Sequence, residues 1–280
     1  MFLRKIEQTL NNIFRFNRHD YFLRVEDYLA RHLHGNPKYQ DPKRLSLHEH
    51  KVFSQNGEDG IIAEIFRRIG TTNCFFVEFG CGKHGTENNS LFLLYQGWSG
   101  RWFEGKEKNA VRLRERLAPF VQSGRLSIQA AIITAENINT VFGENKVPKE
   151  FDLLSIDIDS NDYWVWKALD AFSPRVVVIE YNSMYPPDVE WIMKYNPERS
   201  WGGNSHFGAS LKSFELLGKK KGYSLVGCNF NGANAFFVRD DLVEKKFFAP
   251  FDAETHYEPP RYFLEQQMGH PREVGNIDAG

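Results

Sequence analysis

Cys74-Phe75-Phe76-Val77-Glu78-Phe79-Gly80-Cys81-Gly82-Lys83-His84-Gly85 runs from a short apolar strand straight into a G-x-G-x-x-G turn. Glycines there allow a backbone to approach a ligand closely. Glu104 stands nineteen residues after Gly85, at the end of the next predicted strand, where an acidic side chain can hold two ribose hydroxyls. The pattern points to a nucleoside-bearing ligand but does not by itself separate NAD from S-adenosylmethionine. Glu78 does separate them. It lies inside the strand, two residues before the turn, where dinucleotide sites usually need an apolar residue. S-adenosylmethionine carries an ammonium and a sulfonium, and a carboxylate aimed at that end is electrostatically favourable.

Outward from this turn, strands and helices alternate. Upstream, Ser54 or Asn56 can cap a helix carrying Ile61, Ile62, Ile65, Phe66 and Ile69, which Gly70 stops. Downstream come a helix around Ser90 to Gln96 with Ser90 as its cap, a strand from Arg101 to Glu104, and a charged helix through Arg116. Further strands are predicted at Leu126 to Ala131, Phe151 to Ile158 and Arg175 to Tyr181, with a helix from Tyr163 to Phe172. This order argues for a parallel sheet covered on both faces. It breaks at the far end. Tyr223 to Gly227 and Ala235 to Arg239 are separated only by a turn containing Asn229 and Gly232, so they form an antiparallel hairpin. A dinucleotide dehydrogenase domain continues parallel there.

The 280 residues fit one domain with additions: a helical arm over 1–50, a core over 51–250 and a tail over 251–280. Lys plus Arg number 35 and Asp plus Glu 36, a net charge of -1, which speaks against a nucleic-acid coat. No apolar run approaches the roughly 18–20 residues of a membrane span, and Arg4, Lys5 and Glu7 interrupt any signal-peptide pattern. Cys74, Cys81 and Cys228 are odd in number and unpaired in spacing, the pattern of reduced thiols in a cytoplasmic protein. In the arm, Phe2, Ile6, Leu10, Ile13 and Phe14 repeat at helical spacing, then Phe22, Val25, Leu29 and Leu33. Its basic excess is only three, so packing on the domain or on a second subunit is expected in preference to membrane binding. Tyr257, Tyr262 and Phe263 give the acidic tail a means of docking.

Val77-Glu78-Phe79-Gly80 with Gly85, Asn88-Asn89-Ser90, Gly97-Trp98 and Phe103-Glu104-Gly105 form an ordered series. With Ser54-Gln55-Asn56-Gly57-Glu58-Asp59 and Asp157-Ile158-Asp159, it resembles FkbM-type S-adenosylmethionine-dependent methyltransferases over roughly residues 52–240. The resemblance implies a Rossmann-like class I methyltransferase fold: α/β, seven strands, mostly parallel, the last antiparallel, with S-adenosylmethionine across the ends of the first two strands. Glu78, Gly80, Gly82 and Gly85 would then shape the methionine side of the site and Glu104 hold the ribose. Gln55 and Glu58 correspond to a pre-strand segment at the cofactor or substrate mouth. Gly82 replaces a bulkier residue, and Asn88-Asn89-Ser90 replaces Ser-Asn-Thr. Asn89 is the candidate cofactor contact, with the choice between the two asparagines open.

Asp157 and Asp159 end the fourth strand and project to one side by strand alternation; Glu180 and Asn182 end the fifth. Carboxylates so crowded need a shared proton or a cation, and magnesium on Asp157, Asp159 and Glu180 is one answer. The other is that Asp162 caps the next helix while Asp157 contacts substrate or cofactor. His206, Asp157 and Asp159 are the candidate bases for a methyl transfer to oxygen. The segment 182–205 is long and aromatic (Tyr185, Trp191, Tyr195, Trp201), which suits a lid over a carbohydrate or other polyhydroxylated acceptor. Competing expectations are an NAD-dependent oxidoreductase and a catalytically inactive fold used as an interaction module.

Overall fold

A computed structural model describes residues 19–199 and 202–264. The first predicted arm helix, Trp201 and the tail beyond residue 264 lie outside the described residues. The sheet strands are β1 (Phe75–Phe79), β2 (Ser99–Glu104), β3 (Leu126–Ala130), β4 (Glu150–Ile156), β5 (Ser173–Glu180), β6 (Tyr223–Cys228) and β7 (Asn234–Arg239). They lie in the order β3-β2-β1-β4-β5-β7-β6. β1 to β5 are mutually parallel, and β7 runs antiparallel to both β5 and β6. This is the seven-stranded class I methyltransferase arrangement that the resemblance implies.

The α-helices of five or more residues are α1 (19–29), α2 (Glu58–Ile69), α3 (Leu91–Tyr95), α4 (Glu107–Arg116), α5 (Ala118–Gln122), α6 (Ile138–Glu144), α7 (Asp162–Ala168) and α8 (Leu211–Lys221), with two short ones at Asp240–Val243 and Ala253–His256. They cover both faces. On one, Phe142, Trp166 and Phe214 pack with Val77, Leu154 and Phe237. On the other, Ile65, Leu94 and Leu113 pack with Phe76, Trp102 and Phe236. Successive residues of a strand face opposite ways. Glu78 therefore shares Phe76's face and comes to lie beneath the start of α3. A parallel sheet buried on both faces accounts for the near-continuous apolar runs in β4 and β5.

Three local expectations are corrected. The residue before α2 is Gly57, with φ +97°, and neither Ser54 nor Asn56 holds that position. Ser54 instead accepts a bond from Asp59 N at 3.1 Å, while Asp59 gathers the backbone N–H groups of Val52, Phe53 and Ser54. Ser90 precedes α3 without capping it, because its hydroxyl donates to Glu78. β4 stops at Ile156, so Asp157 and Asp159 are not related by strand alternation. Asp159 sits in a loop with φ +59°.

α1 continues as a π turn, Ala30–His34, and Leu33 packs with Tyr39 and Phe230, flanked by Tyr28, Leu29, Leu47 and Leu264. The described part of the arm thus seats on the β6–β7 turn. The tail docks as its aromatics require: Tyr257 Oη donates to Ser183 O at 2.6 Å, and Tyr181 Oη to Glu258 O at 2.6 Å. Among the described residues no helix is long and apolar enough to cross a membrane.

Candidate functional site

Where strand order reverses on either side of β1, the loops diverge and leave a crevice at the carboxyl edge. A cavity of about 410 Å³ opens there, lined by residues that follow β1, β2, β3 and β4 together with 197–199. Gly80 takes φ +73°, and a Cβ there would fall 1.7 Å from Asp157 O, so the turn passes against the acid loop at van der Waals limits. Gly82 takes φ +67° with open space where its Cβ would stand. Both line the cavity. Gly85 is different: its Cβ would meet Leu113 at 2.8 Å, so this glycine lets α4 pack against the turn and does not face the cavity.

Glu104 is buried at the end of β2. Its Oε1 accepts from Lys106 N at 3.1 Å and from Asn109 Nδ2 at 3.0 Å, which holds the carboxylate at the cavity wall. Asn109 escaped the sequence reading, although its place in the first turn of α4, five residues after the acidic residue, was a usable signal. Phe79, Phe103, Ile132 and Ile133 supply an apolar wall beside it. Ile132 is 64% exposed, an isoleucine at a cavity rim that a flat apolar ring would cover. Nothing in its strand pattern marked it beforehand.

Across the turn, Glu78 Oε1 accepts from Asn89 N at 2.8 Å and Oε2 from Ser90 N at 3.0 Å and from Ser90 Oγ. Trp102 Nε1 donates to that same hydroxyl at 2.8 Å. Asn89 turns its amide away, donating to Ser155 Oγ at 3.1 Å. Glu58 is buried and accepts from Asn56 N and Asn234 Nδ2, both at 2.8 Å. Glu58, Glu78, Asn89 and the exposed Gln55 line a second, smaller chamber of about 130 Å³ that shares Phe79, Gly80, Gly82 and Asp157 with the main cavity.

The acid loop folds on itself. Asp162 Oδ1 accepts from Ile158 N at 2.9 Å and Oδ2 from Ser160 N at 3.0 Å. The resulting turn places carboxylate oxygens of Asp157, Asp159 and Glu180 within 4.8 Å of one another. Burial and the neighbouring Asp162 and Asp159 charges push Asp157 well above the usual carboxylate range. Asn182 does not join this group, because its amide donates to Ser205 O at 2.7 Å and Phe207 O at 3.1 Å. The long segment is stitched to the acid loop by Asn161 Nδ2 to Asn196 O (2.8 Å), Ser160 Oγ to Arg199 O (3.0 Å) and Gly208 N to Ser160 O (3.0 Å). Tyr185 stacks on Trp191 at 4.5 Å. His206 is exposed, edge-on to Trp191 at 5.4 Å, and is not among the residues lining either cavity.

These charges make stability depend on pH. Burial pushes Glu78 up to about 7 and Asp162 to about 6 and also raises Asp157 and Glu49 well above the usual carboxylate range, while burial pulls His256 down to about 4. Between about 4 and 6.5, the folded chain lacks a proton that the unfolded chain holds on His256 but keeps protons on these carboxyls; the two oppose. Above 6.5 His256 is neutral in both states, and the folded chain still holds carboxyl protons that the unfolded chain has lost. Stability then falls as pH rises. The urea midpoint of the ligand-free protein should drop between pH 6.5 and 8, and a midpoint that climbs over that range would contradict this arrangement.

The sequence matches no family model and no curated protein. Solved structures with a similar chain path include a Klebsiella pneumoniae protein assigned as an O-methyltransferase (15% identity, 76% of this chain and 95% of that one, TM-score 0.42). Others are the mitomycin 7-O-methyltransferase MmcR (15%, 64% and 53%, TM-score 0.37) and the StiE O-methyltransferase region (13%, 58% and 50%, TM-score 0.36). The chain covers 50% to 60% of the length of several of these proteins.

Proposed function

We propose that this protein transfers a methyl group from S-adenosylmethionine to a hydroxyl of a sugar or related polyhydroxylated metabolite. The observation that carries the reading is one continuous crevice with Glu104 fixed at one end and the Asp157–Asp159–Glu180 group near the other. The residues present suit that donor. Glu104 offers a carboxylate to ribose hydroxyls, Ile132 and Ile133 offer an apolar face to an adenine, and the acids behind Gly80 offer negative charge to the cationic tail. Antiparallel β7 and the carboxylate at Glu78 favour this reading over an NAD-dependent one.

When bound, the donor supplies a methyl group already activated by its sulfonium. The chain's own residues must align the acceptor oxygen and accept its proton. Alignment supplies several kcal/mol and a positioned base about 10²–10⁴-fold. Without a metal the proton goes to Asp157, which lines the crevice and whose proton affinity is raised by burial and the neighbouring acids; His206 lies beside Trp191 and does not line the crevice. Asp157, Asp159 and Glu180 are the residues that would hold a magnesium ion, whose charge lowers the pKa of a nearby hydroxyl. Tyr185, Trp191 and Tyr195 are not among the residues lining the crevice; the part of their segment that does line it is Pro197, Glu198 and Arg199, and these would lie against the acceptor.

Calorimetric titration tests the reading. Wild-type protein should bind S-adenosylmethionine in preference to NAD, and Glu104→Ala should weaken that binding at least tenfold, about 1.4 kcal/mol, since two hydroxyls lose a charged acceptor. Equal affinity in wild type and variant would remove the assignment.

A further inference from the structure

A separate cavity of about 200 Å³ opens where the described part of the arm, the segment before α2 and the β6–β7 turn meet. Leu29, Leu33, Leu47, Phe230 and Leu264 give it an apolar side. Its polar side is made of donors. Asn231 is 4% exposed and lines the cavity. Its Oδ1 accepts from Ala233 N at 3.1 Å, and turning the amide round would set N–H against N–H, so its orientation is fixed. Nδ2 meets no acceptor among the described residues, yet it is not sealed from solvent. In a residue so deeply buried, the accessible part of the amide is the part that faces the cavity. Ser46 repeats the pattern. It is 8% exposed and lines the same cavity, and its hydroxyl is open and without a partner among the described residues. Lys51, His34 and His50 line the cavity too. Glu49 is the one acid among the described lining residues; it accepts from Phe230 N at 2.5 Å, and burial favours its neutral form.

We propose that this cavity binds an anionic oxygen group, a carboxylate or a phosphate, borne on an apolar body, with Asn231, Ser46 and Lys51 as its recognising residues. The oxygens of such a group only accept, which matches a wall whose open atoms offer hydrogens. Hydrogen bonds to an ion are roughly twice as strong as those between neutral groups, and the leucines and Phe230 take the carbon body out of water. At about 200 Å³ the cavity falls short of the roughly 300–1,000 Å³ of a complete small-molecule site, so it takes one end of a larger ligand. Gln55 lines both this cavity and the small chamber, which in turn shares Asp157 with the crevice. That route makes the acceptor an acid whose hydroxyl lies at Asp157 and whose anionic end lies here. The identification of the ligand as the acceptor rests on the function proposed above; the anion site does not.

The test uses the full chain with benzoate and phenyl phosphate as probes and benzyl alcohol as the neutral control. Calorimetric titration at constant ionic strength should show at least one of the two anions binding, and benzyl alcohol at least tenfold more weakly; the tighter anion names the group. The Asn231 side-chain amide NMR signal, assigned through Asn231→Asp, should shift with that anion. Asn231→Asp keeps an oxygen for Ala233 N but replaces the two donors by negative charge, and it should weaken the anion at least tenfold. Lys51→Met, at a partly exposed position, should weaken it at least fivefold and gives the reading should Asn231→Asp fail to fold. The anion should bind equally well with S-adenosylhomocysteine present. Absence of S-adenosylhomocysteine binding alongside anion binding removes the methyl-donor reading and leaves the anion site standing. No binding of either anion, equal affinity for benzyl alcohol, or undiminished anion affinity in the folded variants overturns the proposal even where S-adenosylhomocysteine binds.

Discussion

Asp152→Ala should cost the fold about 3–5 kcal/mol, the range for breaking a buried ion pair by removing one partner. Asp152 is fully buried on β4, and its carboxylate accepts from Arg175 Nη1 at 2.6 Å, Thr72 N at 3.0 Å, Thr72 Oγ1 at 3.0 Å, Asn73 N at 3.1 Å and Cys74 N at 2.8 Å. Truncation strands the three backbone donors that lead into β1 and leaves Arg175 to the carbonyls of Gly70 and Ile69. The strand carrying Glu78 and Gly80 loses its anchor at the end of the sheet remote from the crevice. Asp152→Asn keeps a carbonyl oxygen for some of those N–H groups and should recover part of the loss. Urea unfolding of both variants decides the matter. A change below 1 kcal/mol in the alanine variant would show that water replaces the carboxylate without penalty.

Chelation should lower turnover by roughly 10²-fold or more while leaving S-adenosylhomocysteine affinity within about twofold. On the proposed reading the nucleoside would lie around Glu104 and Ile132, where it shares no carboxylate with the Asp157–Asp159–Glu180 group. Asp159→Asn should behave like chelation and weaken calorimetric magnesium binding at least tenfold, about 1.4 kcal/mol. Magnesium should also raise the urea midpoint most at pH 8, where the crowded acids have least help from protons. Turnover is read as S-adenosylhomocysteine release against a panel of free sugars, with and without excess EDTA. Undiminished release in EDTA, with no heat of magnesium binding, would leave Asp157 to take the proton without a metal.

The linear order of residues was enough to determine the strands, their parallel run and its reversal at the terminal hairpin. Apolar runs such as Val176 to Ile179 and the short Asn229–Gly232 turn are local signals, and local sterics and chain length leave them few alternatives. Glu104 was legible for the same reason: a strand end followed by a helix start fixes where its side chain emerges, and the fold adds Lys106 N and Asn109 Nδ2 to hold it. Asp157, Asp159 and Glu180 were also expected together, but for a reason the fold replaces. Alternation along a strand does not relate the first two; Asp162 closing on Ile158 and Ser160 brings them round. What only the tertiary structure decided are contacts between residues far apart in the chain. Asn234 reaches Glu58 across 176 positions, Gly85 serves Leu113 in place of a ligand, and Asn182 spends its amide on the 205–207 backbone, carrying His206 out toward Trp191. Periodicity and spacing report which face a residue occupies. Which polar atom on that face is already satisfied depends on hydrogen-bond partners delivered by other elements, and that exists only once the chain has packed.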